Sequence, residues 1–337
     1  MIIHISDTIS PRQLSQLETK LALLKIGFTP VTTRRRRYYV CIPKETFDIR
    51  TVGNMAGVLD VHRVNDPYKL VSNQWKTERS DIDLGDGVTV SEKRFCLMAG
   101  PCSIESEEQM ETISDFLVAN GVRIMRGGVF KPRSSPYAFR GLGIGGLKSF
   151  HRICRAKGLK IVTEVMQVAE IEQMAPYVDV FQVGARNSQN FNLLDALGAV
   201  DIPVLLKRGI SGTLEELLQS AEYIFSKGNE KIMLCERGIR TFENAYRNTF
   251  DINAISLLKE KTHLPVIADP SHGVGLRKHV PNIALAALAA GADGAIVEIH
   301  PEPETAFSDG QQTLDFDEFA RLKRKIDVLK KALLEQP

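Results

Sequence analysis

"PVLLKRGISGTLEELLQSAEYIFSKGNEKIMLCERG", residues 203–238, carries one full period of the pattern that sets the fold. An apolar run, "PVLLKRG", leads into "TLEELLQSAEYIFSKG", whose apolar residues fall at helical spacing, and a second apolar run, "KIMLCERG", follows. Neither run alternates apolar with polar residues. Both read as strands covered on two faces, as in a parallel sheet. Outward from this stretch the beat repeats: "FCLMAG", "RIMRGG", "KIVTEV" and "DVFQVG" precede it, and "PVIADPS" and "GAIVEIH" follow. Helix-like stretches such as "SEEQMETISDFLVAN" and "LKSFHRICRAKG" lie between them. Eight such units over roughly 240 residues predict a (β/α)8 TIM barrel spanning 94–337. An open doubly wound sheet is the alternative; the evenness of the units favours closure.

Residues 1–70 read differently. "MIIHIS" is strand-like, and "SPRQLSQLETKLALLKIG" is a helix opened by Ser10-Pro11 and stopped at Gly27. "FTPVTT" and "RRYYVCIP" pair as a hairpin, "FDIRTVGNMAG" is a weaker helix and "VLDVHRV" a strand. This β-α-β-β-α-β order predicts a small ferredoxin-like α+β domain, without a cluster of catalytic residue types. Residues 71–93 read as a linker and a polar β-hairpin turning at Gly85-Asp86-Gly87. The run from Arg34 to Tyr39, "RRRRYY", sets cations beside aromatics, as RNA-binding surfaces do. In a chain this close to neutral it is expected to be a solvated hairpin tip.

Composition narrows the function. Of 337 residues 43% are apolar and 25% charged, and 43 basic against 41 acidic side chains leave a net charge of +2. That balance gives no electrostatic footprint for nucleic acid or a membrane surface, so neither is expected as a partner. Five cysteines at irregular spacing argue against a disulfide framework and for a reducing compartment. "MIIHISDT" has too short an apolar run for a signal peptide and no basic region before it, and "IALAALAAGADGAIVEI" contains Asp293 and breaks at Gly291. The expected location is the cytoplasm.

"GLGIGG", residues 141–146, matches the dinucleotide fingerprint letter for letter, but that motif works only directly after a strand. Here it follows the proline-punctuated "KPRSSPYAFR", so a mobile loop is expected instead.

In a barrel all parallel strands point their C-terminal ends at one mouth, where catalysis sits. Those ends carry Cys102, Arg126, Glu164, Arg186, Lys207 with Arg208, Glu236 with Arg237, Asp269 with His272, and Glu298 with His300. Turn residues without chemistry would not line up in this way. One subset is cationic: Arg126, Lys131, Arg133, Arg186, Lys207 and Arg237. Converging cations need anions, and the planar guanidinium matches phosphate and carboxylate oxygens two at a time. The second subset is Cys102, His272, Glu298 and Asp309, a thiol, an imidazole and two carboxylates suited to a borderline divalent ion. They follow the first, seventh and eighth strands, which become neighbours on closure.

The motifs "AGPCSIES", "RGGVFKPRSSPYAFRGLG", "QVGARNSQNFNLL", "LCERGIRTFE", "ADPSHGVG" and "VEIHPEPETAFSDGQQ" closely resemble type I-beta 3-deoxy-D-arabino-heptulosonate 7-phosphate (DAHP) synthases over nearly the whole chain. The resemblance implies condensation of phosphoenolpyruvate with erythrose 4-phosphate at the entry to the shikimate pathway. It implies that Arg126, Lys131, Lys207, Arg186 and Arg237 hold phosphoenolpyruvate, and that Ala185 and Asp269 belong to the substrate site. Arg133 and Ser134 would take the aldehyde's phosphate, and Glu164 would lie beside the enolpyruvyl carbon. Cys102, His272, Glu298 and Asp309 match the family's metal ligands, for one manganese, iron, cobalt or zinc ion per subunit. Lys131 is the expected proton donor. The resemblance further implies a homotetramer and feedback inhibition by tyrosine or phenylalanine through the N-terminal domain. The nearest rival family, 3-deoxy-D-manno-octulosonate 8-phosphate synthase, carries Lys-Ala-Asn-Arg-Ser where this chain has Lys131-Pro132-Arg133-Ser134-Ser135. Two other readings are an aldolase forming a Schiff base on Lys207 and a non-catalytic amino-acid sensor.

Overall fold

The computed structural model describes the chain apart from residues 44–46, 132–136, 138 and 335–337. The N-terminal part runs β1 (Ile2–Ile5), α1 (Pro11–Leu23), β2 (Gly27–Thr32), β3 (Arg37–Ile42), α2 (Arg50–Gly53) and β4 (Val58–His62). Its strands form one antiparallel sheet in the order β2-β3-β1-β4. Ser10 caps α1 in a reciprocal capping box with Gln13. The helix ends earlier than the Gly27 stop expected from sequence. Lys25 takes the left-handed turn at φ 54°, with Ile26 N–H on the Leu21 carbonyl and Lys25 N–H on Ala22, so Gly27 is free to open β2. Because strand side chains alternate, Ile3, Ile5, Tyr39 and Cys41 pack on α1 and α2, whereas Ile2, Val31 and Tyr38 join the core that continues into the barrel.

A short hairpin, β5 (Ile82–Asp83) and β6 (Thr89–Val90), precedes the barrel. Ile82, Leu84, Val88 and Val90 pack on the inward residues Met98, Ile124, Val162 and Val180, so the hairpin plugs the base. The barrel follows as β7 (Cys96–Gly100), α3 (Glu107–Ala119), β8 (Ile124–Arg126), α4 (Gly143–Ala156), β9 (Lys160–Glu164) and α5 (Val168–Met174). It continues with β10 (Val180–Val183), α6 (Phe191–Gly198), β11 (Val204–Lys207), α7 (Leu214–Ser226), β12 (Ile232–Glu236) and α8 (Ile252–Lys261). The last elements are β13 (Val266–Ala268), α9 (Pro270–Val274), α10 (Val280–Ala289), β14 (Gly294–Glu298) and α11 (Phe316–Leu334). The eight strands are parallel and close when β14 pairs with β7, so the barrel expected from sequence forms.

The loop expected at "GLGIGG" is a correction. Gly143 to Gly146 form the first turn of α4. The apolar stripe Leu147, Phe150, Ile153 and Cys154 is buried, and Gly146 is buried with it. Packing of that face outweighs the poor helix propensity of the glycines, since tertiary contacts supply most helical stability.

The N-terminal sheet sits at the base. Tyr38 meets Trp75 edge-on at 5.3 Å and Phe225 at 6.4 Å, and Trp75 meets His263 at 5.8 Å. The arginine-rich hairpin tip is exposed as expected, but Arg34 also pairs with Asp201 of the barrel at 2.7 Å. His263 is central to the junction. Its Nε2–H donates to the Leu70 carbonyl at 2.9 Å, and its Nδ1 accepts from Ser80 Oγ at 2.8 Å, so it is held as the neutral ring. Burial, with Lys76 nearby, pushes its pKa down to about 3.

In the unfolded chain a histidine takes a proton near pH 6.5, which the folded chain refuses until about pH 3. Stability should therefore fall on acidification through this window, by up to about 1.4 kcal/mol per pH unit from this group. Urea unfolding of His263→Gln between pH 6.5 and 5 should show a flatter pH dependence than the parent chain. An unchanged slope would assign the acid sensitivity to other groups.

Candidate active site

Strand closure brings the thiol-carboxylate subset together. Ligand atoms of Cys102, Glu298 and Asp309 lie within 4.8 Å of one another. Cys102 Sγ is 3.2 Å from Asp309 Oδ2, although the two residues are 207 positions apart. His272 stands beside them, its Nε2 3.4 Å from Glu298 Oε1. Its other nitrogen, Nδ1, lies 2.8 Å from Asp269 Oδ2, and Asp269 also accepts the His272 N–H at 3.0 Å. A carboxylate only accepts, so Nδ1 carries the proton and the Nε2 lone pair faces Glu298.

The donor set tests whether a cation fits. The imidazole lone pair and the Glu298 carboxylate converge on each other, both being electron donors. Burial lowers the pKa of His272, which favours the neutral, ligating ring. Burial, followed by the charge of Glu298, pushes the Cys102 thiol up to about 12. A divalent ion reverses that balance because it binds the thiolate directly. The residues fit a thiol-, imidazole- and carboxylate-bound divalent ion.

Positive groups ring this cluster. Arg126 Nη1 binds Glu298 Oε1 at 3.1 Å and the Pro101 carbonyl at 2.6 Å. Lys131 Nζ lies 3.0 Å from Cys102 Sγ. Lys207 Nζ binds Asp269 Oδ2 at 2.5 Å, so Asp269 bridges a cation and the histidine. Arg126, Lys207 and Arg237 are all buried, and burial lowers the pKa of Arg237. Glu164 ends β9 and accepts weakly from Gln182 Nε2 at 3.4 Å. It lies over Gly184, where a methyl group would come within 2.1 Å of its Oε1, so only glycine leaves the carboxylate its place. Ala185 and Arg186 form a short turn after β10, with Arg186 exposed. Arg133 and Ser134 lie outside the described residues.

Some strand-end charges expected at the mouth are elsewhere. Arg208 and Glu236, each one residue out of phase with the inward Lys207 and Arg237, bind each other at 2.9 Å, and Arg208 also binds Asp251. His300 faces Glu105 at 3.7 Å. Conversely, sequence reasoning missed Arg247 and Gln312. Gln312 is fully buried and donates to Glu298 Oε2 at 2.6 Å. Its only signal was a place three residues beyond Asp309 in "SDGQQ".

The chain resembles known proteins over most of its length. The sequence profile described as the DAHP synthetase I family matches residues 73–335. A phospho-2-dehydro-3-deoxyheptonate aldolase of Thermotoga maritima is 49% identical over 276 residues, 82% of this chain and 81% of its own. A crystal structure of phospho-2-dehydro-3-deoxyheptonate aldolase (DAHP synthase) from the same organism superposes with a TM-score of 0.79 at 41% identity, covering 98% of this chain and 97% of its own. A 2-dehydro-3-deoxyphosphooctonate aldolase of Syntrophobacter fumaroxidans is more distant, 32% identical over 71% of this chain and 88% of its own.

Cobalt(II) added to the metal-free protein should give a near-ultraviolet thiolate-to-metal absorption band that Cys102→Ser abolishes. A parent chain without that band at any cobalt concentration would remove Cys102 from the ligand set.

Proposed function

The chain belongs to the DAHP synthetase I family, and on that premise we infer that it is a type I-beta 3-deoxy-7-phosphoheptulonate synthase. It condenses phosphoenolpyruvate with erythrose 4-phosphate, giving DAHP and phosphate, a transferase step of aromatic biosynthesis. The observation that carries the reading is one rim where Cys102, Glu298 and Asp309 cluster beside His272, with Arg126, Lys131, Lys207 and Arg237 around them.

C3 of phosphoenolpyruvate attacks the aldehyde carbon, water adds at C2, and phosphate leaves by cleavage of its carbon–oxygen bond. Arg126, Lys207, Arg237 and Arg186 hold the carboxylate and phosphate of phosphoenolpyruvate. Three of these cations are already buried, so they stabilise the departing charge without reorganising. Ala185 borders this site and Asp269 fixes both Lys207 and His272 within it. Arg133 and Ser134 take the phosphate of the aldehyde substrate. Glu164 stands beside the enolpyruvyl carbon, near the attacking water. Lys131 gives a proton to the nascent alkoxide, which its Nζ position beside Cys102 allows. Cys102, His272, Glu298 and Asp309 would hold one divalent ion, manganese, iron, cobalt or zinc, which when bound would supply Lewis acidity toward the aldehyde. Lys207 acts as a cation, not as a Schiff-base amine, consistent with its ion pair to Asp269.

Residues 1–70 form a ferredoxin-like regulatory domain, joined through 71–93 to the catalytic barrel 94–337. The sheet order and the two helices on one face support this assignment. The domain's contacts with its own barrel lie at the base, around Asp201, Phe225 and His263. Feedback by tyrosine or phenylalanine therefore acts on the mouth through a neighbouring subunit of a homotetramer. No described helix is long and apolar enough to cross a membrane, which is consistent with a cytoplasmic enzyme.

Chelation should abolish turnover, and adding back each metal should restore it with erythrose 4-phosphate and not with arabinose 5-phosphate. Lys131→Met should lower kcat by at least about 100-fold. Full turnover of the chelated enzyme, equal use of arabinose 5-phosphate, or a fully active Lys131→Met would sink the metal, substrate or proton-donor assignment respectively. Tyrosine or phenylalanine should inhibit the full chain and not a chain lacking residues 1–70; inhibition that survives the deletion would place the effector site in the barrel.

A further inference from the structure

The loop that joins β12 to α8 reaches across the mouth to the metal-binding groups. It is anchored at its root, where Glu236 accepts the Gly238 N–H at 2.7 Å and Arg208 binds both Glu236 and Asp251 at 2.9 Å. Near its far end Arg247 donates its N–H to the Val274 carbonyl at 3.1 Å. Arg247 lies against Gly275, which has φ +69°, and a Cβ on that glycine would sit 2.3 Å from the Cβ of Arg247. The next residue, Asn248, donates from Nδ2 to the His272 carbonyl at 2.9 Å.

From this anchored backbone the Arg247 guanidinium points at the Gln312 amide and the Asp309 carboxylate. Its Nη1 lies 2.7 Å from Gln312 Oε1 and 3.3 Å from Asp309 Oδ1. Gln312 passes the connection on, donating from Nε2 to Glu298 Oε2 at 2.6 Å. A guanidinium only donates and a carboxylate only accepts, so a single orientation of the Gln312 amide satisfies both neighbours. Every donor and acceptor in the chain Asp309–Arg247–Gln312–Glu298 is therefore defined, with Arg247 donating toward both ends. Asp309 needs such support, because it holds φ 55° as a non-glycine residue. Its carbonyl is tied by Thr313 Oγ1 at 2.9 Å and by the Gln312 N–H at 3.2 Å, and Arg247 aims the carboxylate.

We propose that Arg247 and Gln312 are positioning residues that hold the carboxylates of Glu298 and Asp309 in place for the divalent ion; this rests on the metal reading above. They touch neither substrate in this role. They act by limiting the rotation of two acids that repel each other, so that the ion meets a prepared site.

Titration of the metal-free, full-length protein with cobalt(II), read by the thiolate band and by competition with a chromophoric chelator, tests this directly. Gln312→Leu and Arg247→Met should each weaken cobalt binding by about 10- to 100-fold. The double variant should lose less than the sum of the two single losses, because the Arg247–Gln312 bond is removed by either substitution alone. Arg247→Lys should retain part of the affinity. Circular dichroism of the metal-free variants checks folding, and Arg247, at 32% side-chain exposure, carries the test if Gln312→Leu does not fold. Unchanged cobalt affinity in a folded variant would overturn the proposal, as would fully additive losses in the double variant. A parent chain that binds no cobalt overturns the metal reading itself, and the proposal with it.

Discussion

The pairing of β14 with β7 is the contact on which the rest of the molecule depends. It runs from Gly294 against Cys96 to Glu298 against Gly100, joining the last strand of the barrel to the first. Without it the chain would be an open sheet whose two edges carried Cys102 on one side and Glu298 with Asp309 on the other. With it, a thiol and an acid separated by 207 residues come within 3.2 Å. Closure also removes both sheet edges, so the same ladder that builds the site stabilises the fold.

Closing a barrel around so many charges creates an electrostatic problem that the side chains resolve in pairs. Asp269 is buried between Lys207 and His272, and Glu298 is buried between Arg126, His272 and Gln312. Burial opposes the ionised form of Asp269, yet His272 and Lys207 hold its carboxyl well below the usual range. Each acid thereby holds at least two neighbours, and the positions of the mouth groups are linked rather than independent. Arg126, bound to the Pro101 carbonyl next to Cys102 and to Glu298, ties β8 to both sides of the closing seam.

The base is organised by apolar contact. The β5–β6 hairpin fills the lower interior, while Tyr38, Trp75, Phe225 and His263 join the N-terminal sheet to the barrel wall. The charged mouth at one end and the docking of the N-terminal sheet at the other are thus separated by the length of the strands.

Much of this was legible in the chain. Unbroken apolar runs such as "PVLLKRG" and "KIMLCERG", alternating with amphipathic stretches, specify a parallel barrel, because only strands covered on both faces lack alternation. Parallel topology then sends every strand end to one rim, so Cys102, Arg126, Lys207, Arg237, His272 and Glu298 could be named as neighbours before any coordinates. The glycines at 141–146 misled because their helix is stabilised by burial of Gly146 and Leu147, which local propensity does not report. Position along the chain could not tell which way each charge turns. Lys207 faces the mouth and Arg208 its neighbour Glu236; His300 turns to Glu105, and Gln312 reaches Glu298. Those choices belong to the tertiary structure, since a hydrogen bond between distant segments exists only after closure sets their separation and the facing of their side chains.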